Sequence, residues 1–144
     1  MKDFAGNLGL DIDGVITASP DYFASLSKQW RNGGGQVHIV SSRSNRADVL
    51  ATTKAELDSY GIAYDSLYLL PSIEIARVTC QEKDLDWYQK YIWQKVNYCI
   101  ENQVDTFYDD ELKVVELFRK LCPHIKIFHV MEGGVIMQLE KESK

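Results

Sequence analysis

The amino-acid sequence predicts an α/β fold built around a mostly parallel sheet. Five short apolar runs of strand length alternate with longer segments of helical periodicity, which is the pattern of strand–helix–strand units. Three of the five runs are followed directly by polar groups, at Asp11 to Asp13, Ser41 to Arg43 and Asp109–Asp110. Because ligands bind beyond the carboxyl ends of the strands in such sheets, the same pattern predicts where a functional site would lie.

The predicted strands are compact apolar runs bounded by turn-forming residues. They cover residues 7–12, 37–40, 66–70, 104–108 and 125–130, and a further strand follows at 135–139. Asp13–Gly14 supplies the turn after the first strand, and Pro71 stops the third. The polar segment Ser41–Asn45 is predicted to be a turn, and His38, within the second strand, is predicted to lie in the core.

The predicted helices show apolar residues at three- and four-residue spacing. They run from Ser19 to the glycines at 33–35, over 46–59, over about 84–101 and over 111–121. Ser19 is a suitable N-cap followed by Pro20 at the first helical position, and Gly61 is a suitable end for the second helix. In that second helix we expect an inward face made of Val49, Leu50, Ala55 and Leu57. Residues 71–83 show no clear pattern and leave room for no more than a flap.

The composition indicates one globular domain spanning residues 1–144. Hydrophobic residues make up 45% and charged residues 26%, both ordinary for a globular protein. The formal net charge of −5 argues against binding to nucleic acid or anionic membranes through bulk charge alone, although a small basic site is compatible with it. No apolar run approaches the roughly 18 residues of a membrane span, so we expect no membrane association.

The three cysteines predict neither a disulfide framework nor a zinc site. Cys80, Cys99 and Cys122 are odd in number, and no two of them have a Cys-x-x-Cys spacing. Cys99 and Cys122 fall in helical patterns and are expected to be buried. Free cysteines are typical of a reducing compartment, and the first residues lack the apolar core of a signal peptide. We therefore predict a cytoplasmic protein, whose oligomeric state the sequence leaves open.

Two pairs of acidic residues follow apolar strands. Asp11 and Asp13 follow the first strand, and Asp109 and Asp110 follow the fourth. If these strands are neighbours the carboxylates converge, and two like charges about 4 Å apart repel by roughly 4 kcal/mol at an effective dielectric of about 20. Such a cluster needs a proton or a cation. Since its ligands are all oxygen atoms, the predicted cation is Mg²⁺. Each pair alone is more often a turn or a helix cap.

Three further residues could bind a phosphate beside that metal. Ser41 and Ser42 follow the second strand, where a hydroxyl and backbone N–H groups would be useful donors, although alone they are more often turn residues. Lys95, on the long helix, would supply the fixed cation that a carboxylate-rich phosphate site requires. Lys90 is the competing choice on the same helix.

These residues together resemble the four motifs of the haloacid dehalogenase superfamily. The segment Asp11–Thr17 resembles its first motif, an Asp-x-Asp-Gly followed by apolar residues. Ser41 after a strand resembles the second motif, Lys95 the third, and Asp109–Asp110 the fourth. The order and spacing agree over residues 7–130.

The resemblance implies both a fold and a set of roles. The fold would be a Rossmann-like three-layer sandwich with five main strands in the order 5-4-1-2-3. Asp11 would attack phosphorus, and Asp13 would be the general acid and base. Mg²⁺ would be held by Asp11, the backbone carbonyl of Asp13, Asp109 and Asp110. Ser41 and Lys95 would bind the phosphoryl group, so the implied activity is that of a phosphatase.

The resemblance also bears on the substrate. Many members carry a large cap domain, but the sequence has no room for one, which favours a bulky phosphorylated substrate such as a polynucleotide end, a protein, or a nucleotide held by a flap. The pair Ser42–Arg43 and the segments Tyr64–Pro71 and Asp109–Lys120 are similar to the phosphatase domain of phage polynucleotide kinase, which removes 3′-phosphates. One departure is Glu111, because that domain usually has Arg directly after the paired acids.

Two alternatives to a phosphatase remain open at the level of sequence. One is a catalytically silent protein of the same fold that binds phosphate or a partner. The other is an interaction domain that uses the aromatic residues of the long helix, Trp87, Tyr88, Tyr91, Trp93 and Tyr98. A receiver domain is disfavoured, since its phosphorylated aspartate ends the third strand, where this chain has Leu70–Pro71.

Overall fold

The computed structural model describes residues 6–138 and contains one six-stranded sheet in the order β3-β2-β1-β4-β5-β6. Its strands are β1 (Asn7–Leu10), β2 (Val37–Ser44), β3 (Ser66–Leu70), β4 (Val104–Asp109), β5 (Lys126–Met131) and β6 (Val135–Gln138). The first five strands are parallel, and β6 pairs antiparallel with β5. The α/β fold and the order of the five main strands, read from the opposite edge, are confirmed. Leu139, the predicted end of the last strand, lies outside the described residues.

Five α-helices lie within the described residues: α1 (Pro20–Asn32), α2 (Ala47–Tyr60), α3 (Ile73–Thr79), α4 (Trp87–Glu101) and α5 (Leu112–Leu121). The long helix α4 begins about three residues later than predicted. Asp86 caps it, since its side chain accepts from the N–H of Gln89 at 2.8 Å while the Gln89 side chain accepts from the N–H of Asp86 at 2.9 Å. Ser19 occupies the N-cap position of α1 but makes no capping hydrogen bond through its side chain.

The segment Ser41–Asn45 differs from its prediction as a turn, because β2 continues as far as Ser44. The pairing with β3 is irregular there: Ser41 lies opposite Leu69 and Ser44 opposite Leu70, so two extra residues bulge from β2. A bulge re-aims side chains at the end of a strand, and bulges are common beside functional sites. The segment is polar because it lies at the carboxyl end of an inner strand, and the chain does not reverse there.

The segment 71–83, which the sequence left unassigned, contains the seven-residue helix α3. Only Ala76 is buried within it, so its apolar periodicity is too weak to be recognised from sequence. The inward face of α2 also differs from its prediction. Leu57 is buried and Thr53 is buried with it, whereas Ala55 is exposed.

The hydrophobic core lies in two layers, one on each face of the sheet. The layer under α1 and α2 includes Phe23, Trp30 and Leu57, and the layer under α4 and α5 includes Ile92 and Phe118. His38, Cys99 and Cys122 are buried, as predicted. Within residues 6–138 no helix has the length and apolar character needed to cross a membrane. The two layers pack against both faces of the sheet, so the strand pairing sets where the residues at the carboxyl ends lie.

Candidate functional site

The parallel pairing of β1 and β4 places the acidic residues side by side. Leu10 lies opposite Tyr108, and the N–H of Asp11 donates to the Tyr108 carbonyl at 3.1 Å. Asp11 and Asp109 therefore follow at the same level of the sheet. Carboxylate oxygens of Asp11, Asp109 and Asp110 all lie within 4.8 Å of one another. Asp11 and Asp109 are buried, while Asp110 is exposed.

Lys95 reaches this cluster from α4 and is itself only 1% exposed. Its ammonium donates to Oδ2 of Asp109 at 2.7 Å and to Oδ1 of Asp11 at 3.1 Å. The second oxygen of Asp109 accepts from the N–H of Glu111 at 3.0 Å, which fixes the orientation of that carboxylate. Lys95 therefore holds together the two strand ends that the sequence predicted to meet.

The electrostatics of the cluster leave negative charge in excess. Burial raises the pKa of Asp11 well above its ordinary value, and the charge of Asp109 adds to the rise, while Lys95 partly offsets both. Burial likewise raises the pKa of Asp109. For Lys95, burial lowers the pKa, but the charges of Asp109 and Asp11 outweigh burial and leave the pKa raised. Three carboxylates against one ammonium, with an all-oxygen donor set, suit a hard divalent cation such as Mg²⁺.

A tight turn at Ile12–Ile16 carries the chain away from Asp11. The N–H of Gly14 donates to the Thr17 hydroxyl at 2.9 Å, and Gly14 has a φ of +82°, in the left-handed region. A Cβ atom on Gly14 would also collide with the carboxylate of Asp110. Gly14 is thus required both by the turn and by the close approach of a candidate metal ligand.

This close approach predicts that Gly14→Ala weakens divalent-cation binding. Because residue 14 has a left-handed φ, the alanine should lower the free energy of unfolding by about 1–2 kcal/mol, which chemical denaturation would measure. Gly34→Ala is a matched control, because Gly34 has a φ of +94° and its added methyl group would meet no described atom within 4 Å. We expect a stability loss in Gly14→Ala at least as large as that in Gly34→Ala, but reduced Mg²⁺ affinity in calorimetry only for Gly14→Ala. Unchanged affinity in that variant would contradict the position inferred for Asp110.

The Asp13 carboxylate is not one of the three clustered carboxylates. Arg43, on the β2 bulge, binds it with two hydrogen bonds, from Nε at 2.9 Å and from Nη2 at 2.8 Å. This contact with Arg43 is the main reason that the pKa of Asp13 is lowered, against the opposing effect of burial. Arg43 also donates to Thr53 at 3.0 Å and to Glu56 at 2.8 Å. Of the four predicted metal-site acids, three carboxylates therefore converge, and the fourth is held by an arginine.

Of the two predicted phosphate-binding serines, Ser41 is the last regularly paired residue before the β2 bulge and Ser42 lies within it. Ser41 is buried, and its hydroxyl oxygen accepts from the N–H of Arg43 at 3.1 Å. Ser42 is half-buried, and its carbonyl accepts from the hydroxyl of Tyr91 at 2.7 Å. Both residues are thus held in place by neighbours from the sheet edge and from α4.

Sequence reasoning missed the roles of Arg43 and Glu56. Arg43 follows a predicted strand end, so its proximity to the site was expected, but nothing in the sequence pairs it with Asp13. Glu56 occupies an ordinary polar position of α2 and belongs to no motif. The contact between Arg43 and Asp13 spans 30 residues of chain, and only the assembled sheet brings the three groups together.

Comparisons with known proteins agree with the fold. No family model matches the chain, and no curated protein matches it. Among solved structures, it is similar to a chain in the structure of the Pnkp1/Rnl/Hen1 complex, with a TM-score of 0.62 and 20% identity over 90% of this chain. A chain in the structure of the Pnkp1/Rnl/Hen1 RNA repair complex gives the same three values. This chain spans 47% and 43% of those two chains, respectively, so it is similar to less than half of each.

Proposed function

We propose that this protein is a Mg²⁺-dependent phosphomonoesterase of the haloacid dehalogenase type that uses Asp11 as its nucleophile. The observation that carries the proposal is the meeting of Asp11, Asp109 and Asp110 around the buried ammonium of Lys95. A purely structural domain gains nothing from several acids at one buried edge, since desolvated like charges destabilise a fold. A phosphoryl-transfer site needs this arrangement for alignment and charge neutralisation.

In the first step, a carboxylate oxygen of Asp11 attacks phosphorus, and the bond from phosphorus to the ester oxygen of the substrate breaks. The departing oxygen takes a proton from Asp13. In the second step, Asp13 removes a proton from water, the water oxygen attacks the phosphorus of the aspartyl phosphate, and the Asp11 carboxylate is restored with release of phosphate. Protons and charges balance over the two steps.

The contact between Arg43 and Asp13 suits one of these steps better than the other. Because Arg43 lowers the pKa of Asp13, the carboxyl group is ionised at neutral pH in this arrangement, as a general base must be. Acting as an acid requires Asp13 to leave Arg43 and take up a proton. Asp13 is exposed and can rotate, so we propose that substrate binding exchanges its partner.

The other residues bind the substrate and the cation. Asp11, Asp109 and Asp110 would hold Mg²⁺, with the backbone carbonyl of Asp13 as a further ligand implied by the family resemblance. When bound, Mg²⁺ neutralises charge on the phosphoryl oxygens and positions the phosphorus for attack. Lys95 would donate to a phosphoryl oxygen, and Ser41 and Ser42 would add hydroxyl and backbone donors.

We further propose that the substrate is a phosphorylated polynucleotide end, with a 3′-phosphate as the group removed. One of the two similar structures is described as an RNA repair complex, which favours this substrate over a small metabolite. Within the described residues no large cap covers the strand ends, since the segment between β3 and α4 holds only the short helix α3. The net charge of −5 favours recognition of a terminus over binding along an extended backbone.

The activity should appear with oligonucleotides carrying a terminal phosphate. We expect release of inorganic phosphate from a 3′-phosphorylated oligoribonucleotide in Mg²⁺ and none in EDTA, with slower release from the same oligonucleotide phosphorylated at its 5′ end. Colorimetric phosphate detection and gel mobility would follow the reaction. Accumulation of phosphorylated Asp11 without phosphate release would instead favour the catalytically silent alternative.

Asp110→Asn and Glu116→Gln are matched variants for that assay. Asp110 belongs to the clustered carboxylates, whereas Glu116 is exposed on α5. Removing a ligand carboxylate should raise the Mg²⁺ concentration for half-maximal rate by about tenfold or more in Asp110→Asn. Glu116→Gln should keep the wild-type dependence, and an equal effect of the two substitutions would argue against a metal at Asp110.

A further inference from the structure

Beside the candidate active site lies a cleft of about 410 Å³ between the end of β3, α3 and the start of α4. Its walls are mostly apolar and aromatic, and they include Leu70, Ile73, Trp87, Tyr88 and Tyr91. The proposed phosphatase chemistry uses none of these side chains. A concave, largely apolar space with a few polar groups at its edge is the usual form of a small-molecule site.

Two hydrogen bonds join the walls of this cleft to the candidate active site. The Tyr91 hydroxyl donates to the carbonyl of Ser42 at 2.7 Å, and the Tyr88 hydroxyl donates to the Glu111 carboxylate at 2.6 and 2.8 Å. Glu111 in turn donates its N–H to Asp109. Both tyrosine rings are therefore held as fixed walls, since each hydroxyl is bound to the residues that frame the phosphate site.

The spacing of residues along α4 shows in which direction the cleft runs from Lys95. Lys95, Tyr91 and Tyr88 are spaced four and three residues apart, so they lie along one face of the helix. At 1.5 Å per residue, Tyr91 lies about 6 Å and Tyr88 about 10 Å from Lys95 along the axis. The face thus begins at a buried ammonium suited to a phosphate and continues outward as aromatic rings.

Trp87 completes the outer wall of the cleft. Its side chain is 60% exposed, and its ring meets Tyr88 edge-on with 5.6 Å between ring centroids. The exposed indole continues the apolar surface of the cleft to its outer end. Its face is available for a flat ligand to stack on.

We propose that this cleft binds the nucleobase of the terminal nucleotide whose phosphate is attacked by Asp11. The inference rests on the proposed function and adds the part of the substrate that the protein recognises. Flat aromatic walls favour a nucleobase, because every base, whatever its identity, has a planar face that can stack on an aromatic side chain. Ser44 and Asn45 line the same cleft and can donate to or accept from a base edge. Recognition of one base also suits a protein with a formal net charge of −5, since that charge disfavours binding along an extended phosphate backbone.

A titration followed by NMR tests the base site without any turnover. The protein has three tryptophans, so their indole N–H signals are few, and Trp87→Phe identifies the signal of Trp87. In EDTA, adenosine and adenosine 3′-phosphate should shift the Trp87 signal saturably. The Trp30 signal should stay in place, since that indole is buried and donates to the Gly6 carbonyl at 3.0 Å. No shift at Trp87, or an equal shift with base-free glycerol 2-phosphate, would overturn the proposal.

Kinetics provide the second measurement, as the ratio of kcat/KM for a 3′-phosphorylated oligonucleotide to that for glycerol 2-phosphate. Trp87→Ala should lower this ratio about tenfold, whereas Tyr22→Ala, an exposed aromatic on α1, should leave it unchanged. An unchanged ratio in Trp87→Ala would refute the base site. If the wild type hydrolyses neither ester, the proposed function fails, and the NMR titration still decides whether the cleft binds a base.

Discussion

Asp11→Asn should abolish phosphate release from every substrate that the wild-type protein hydrolyses. An amide is nearly the same size as a carboxylate, but its oxygen is a poor nucleophile and cannot form the aspartyl phosphate. We expect kcat to fall by at least about a thousandfold, as happens when a catalytic nucleophile is removed. The variant should fold, because Lys95 keeps its 2.7 Å contact with Asp109. Circular dichroism and a phosphate-release assay would measure the two properties.

Asp21→Asn is the matched control for this substitution. Asp21 is exposed in the first turn of α1 and lies on a different element from the clustered acids. The control should keep wild-type turnover, so any loss specific to Asp11→Asn reports on chemistry and not on net charge. A variant at position 11 that retained wild-type kcat would exclude Asp11 as the nucleophile and would leave its burial without a catalytic explanation.

The residues that gather at the strand ends could be predicted from the sequence, because two simple patterns coincide there. Apolar runs identify buried parallel strands, and polar residues directly after them must lie at one edge of the sheet. For this reason the amino-acid pattern placed Asp11 and Asp109 at the same edge of the sheet, while the adjacency of their two strands came from the family resemblance. Lys95 could be chosen over Lys90 only through the family resemblance. The structure supplies the physical difference, since Lys95 faces the buried acids and Lys90 is half-buried on another face of α4.

The surroundings of Asp13 were not predictable in the same way. A bulge in β2 aims Arg43 at Asp13, but its sequence, Ser-Ser-Arg-Ser, has the polarity of a turn. Hydrogen bonds from Arg43 to Asp13 and to Glu56 join residues that are distant in the chain. No periodicity encodes such contacts, because they depend on the pairing register of the strands and not on local preference. The aromatic cleft was unpredicted for a similar reason, as α3 has too weak a pattern to be recognised.

Lys95→Met should destabilise the metal-free protein by about 3–5 kcal/mol at neutral pH, because it leaves Asp11 and Asp109 buried without a cation. The loss should depend on pH with a definite sign. Burial already raises the pKa of both carboxyl groups, whereas the positive charge of Lys95 lowers both pKa values. Replacing Lys95 should therefore raise the two pKa values further. The folded variant then binds more protons than the unfolded chain, so its stability falls as pH rises from the ordinary aspartate pKa of 3.8. Urea denaturation at a series of pH values would measure this.

Lys90→Met separates the loss of the buried cation from the loss of a lysine on α4. Lys90 lies on the same helix and makes no ion pair among the described residues, so its replacement should change stability little at any pH. Mg²⁺ should restore part of the stability of Lys95→Met, since a divalent ion at the same carboxylates replaces the missing charge. If Lys95→Met were as stable as Lys90→Met in EDTA at neutral pH, the buried acids would have to be protonated in the native protein. Asp11 would then lack the negative charge that the proposed role of nucleophile requires.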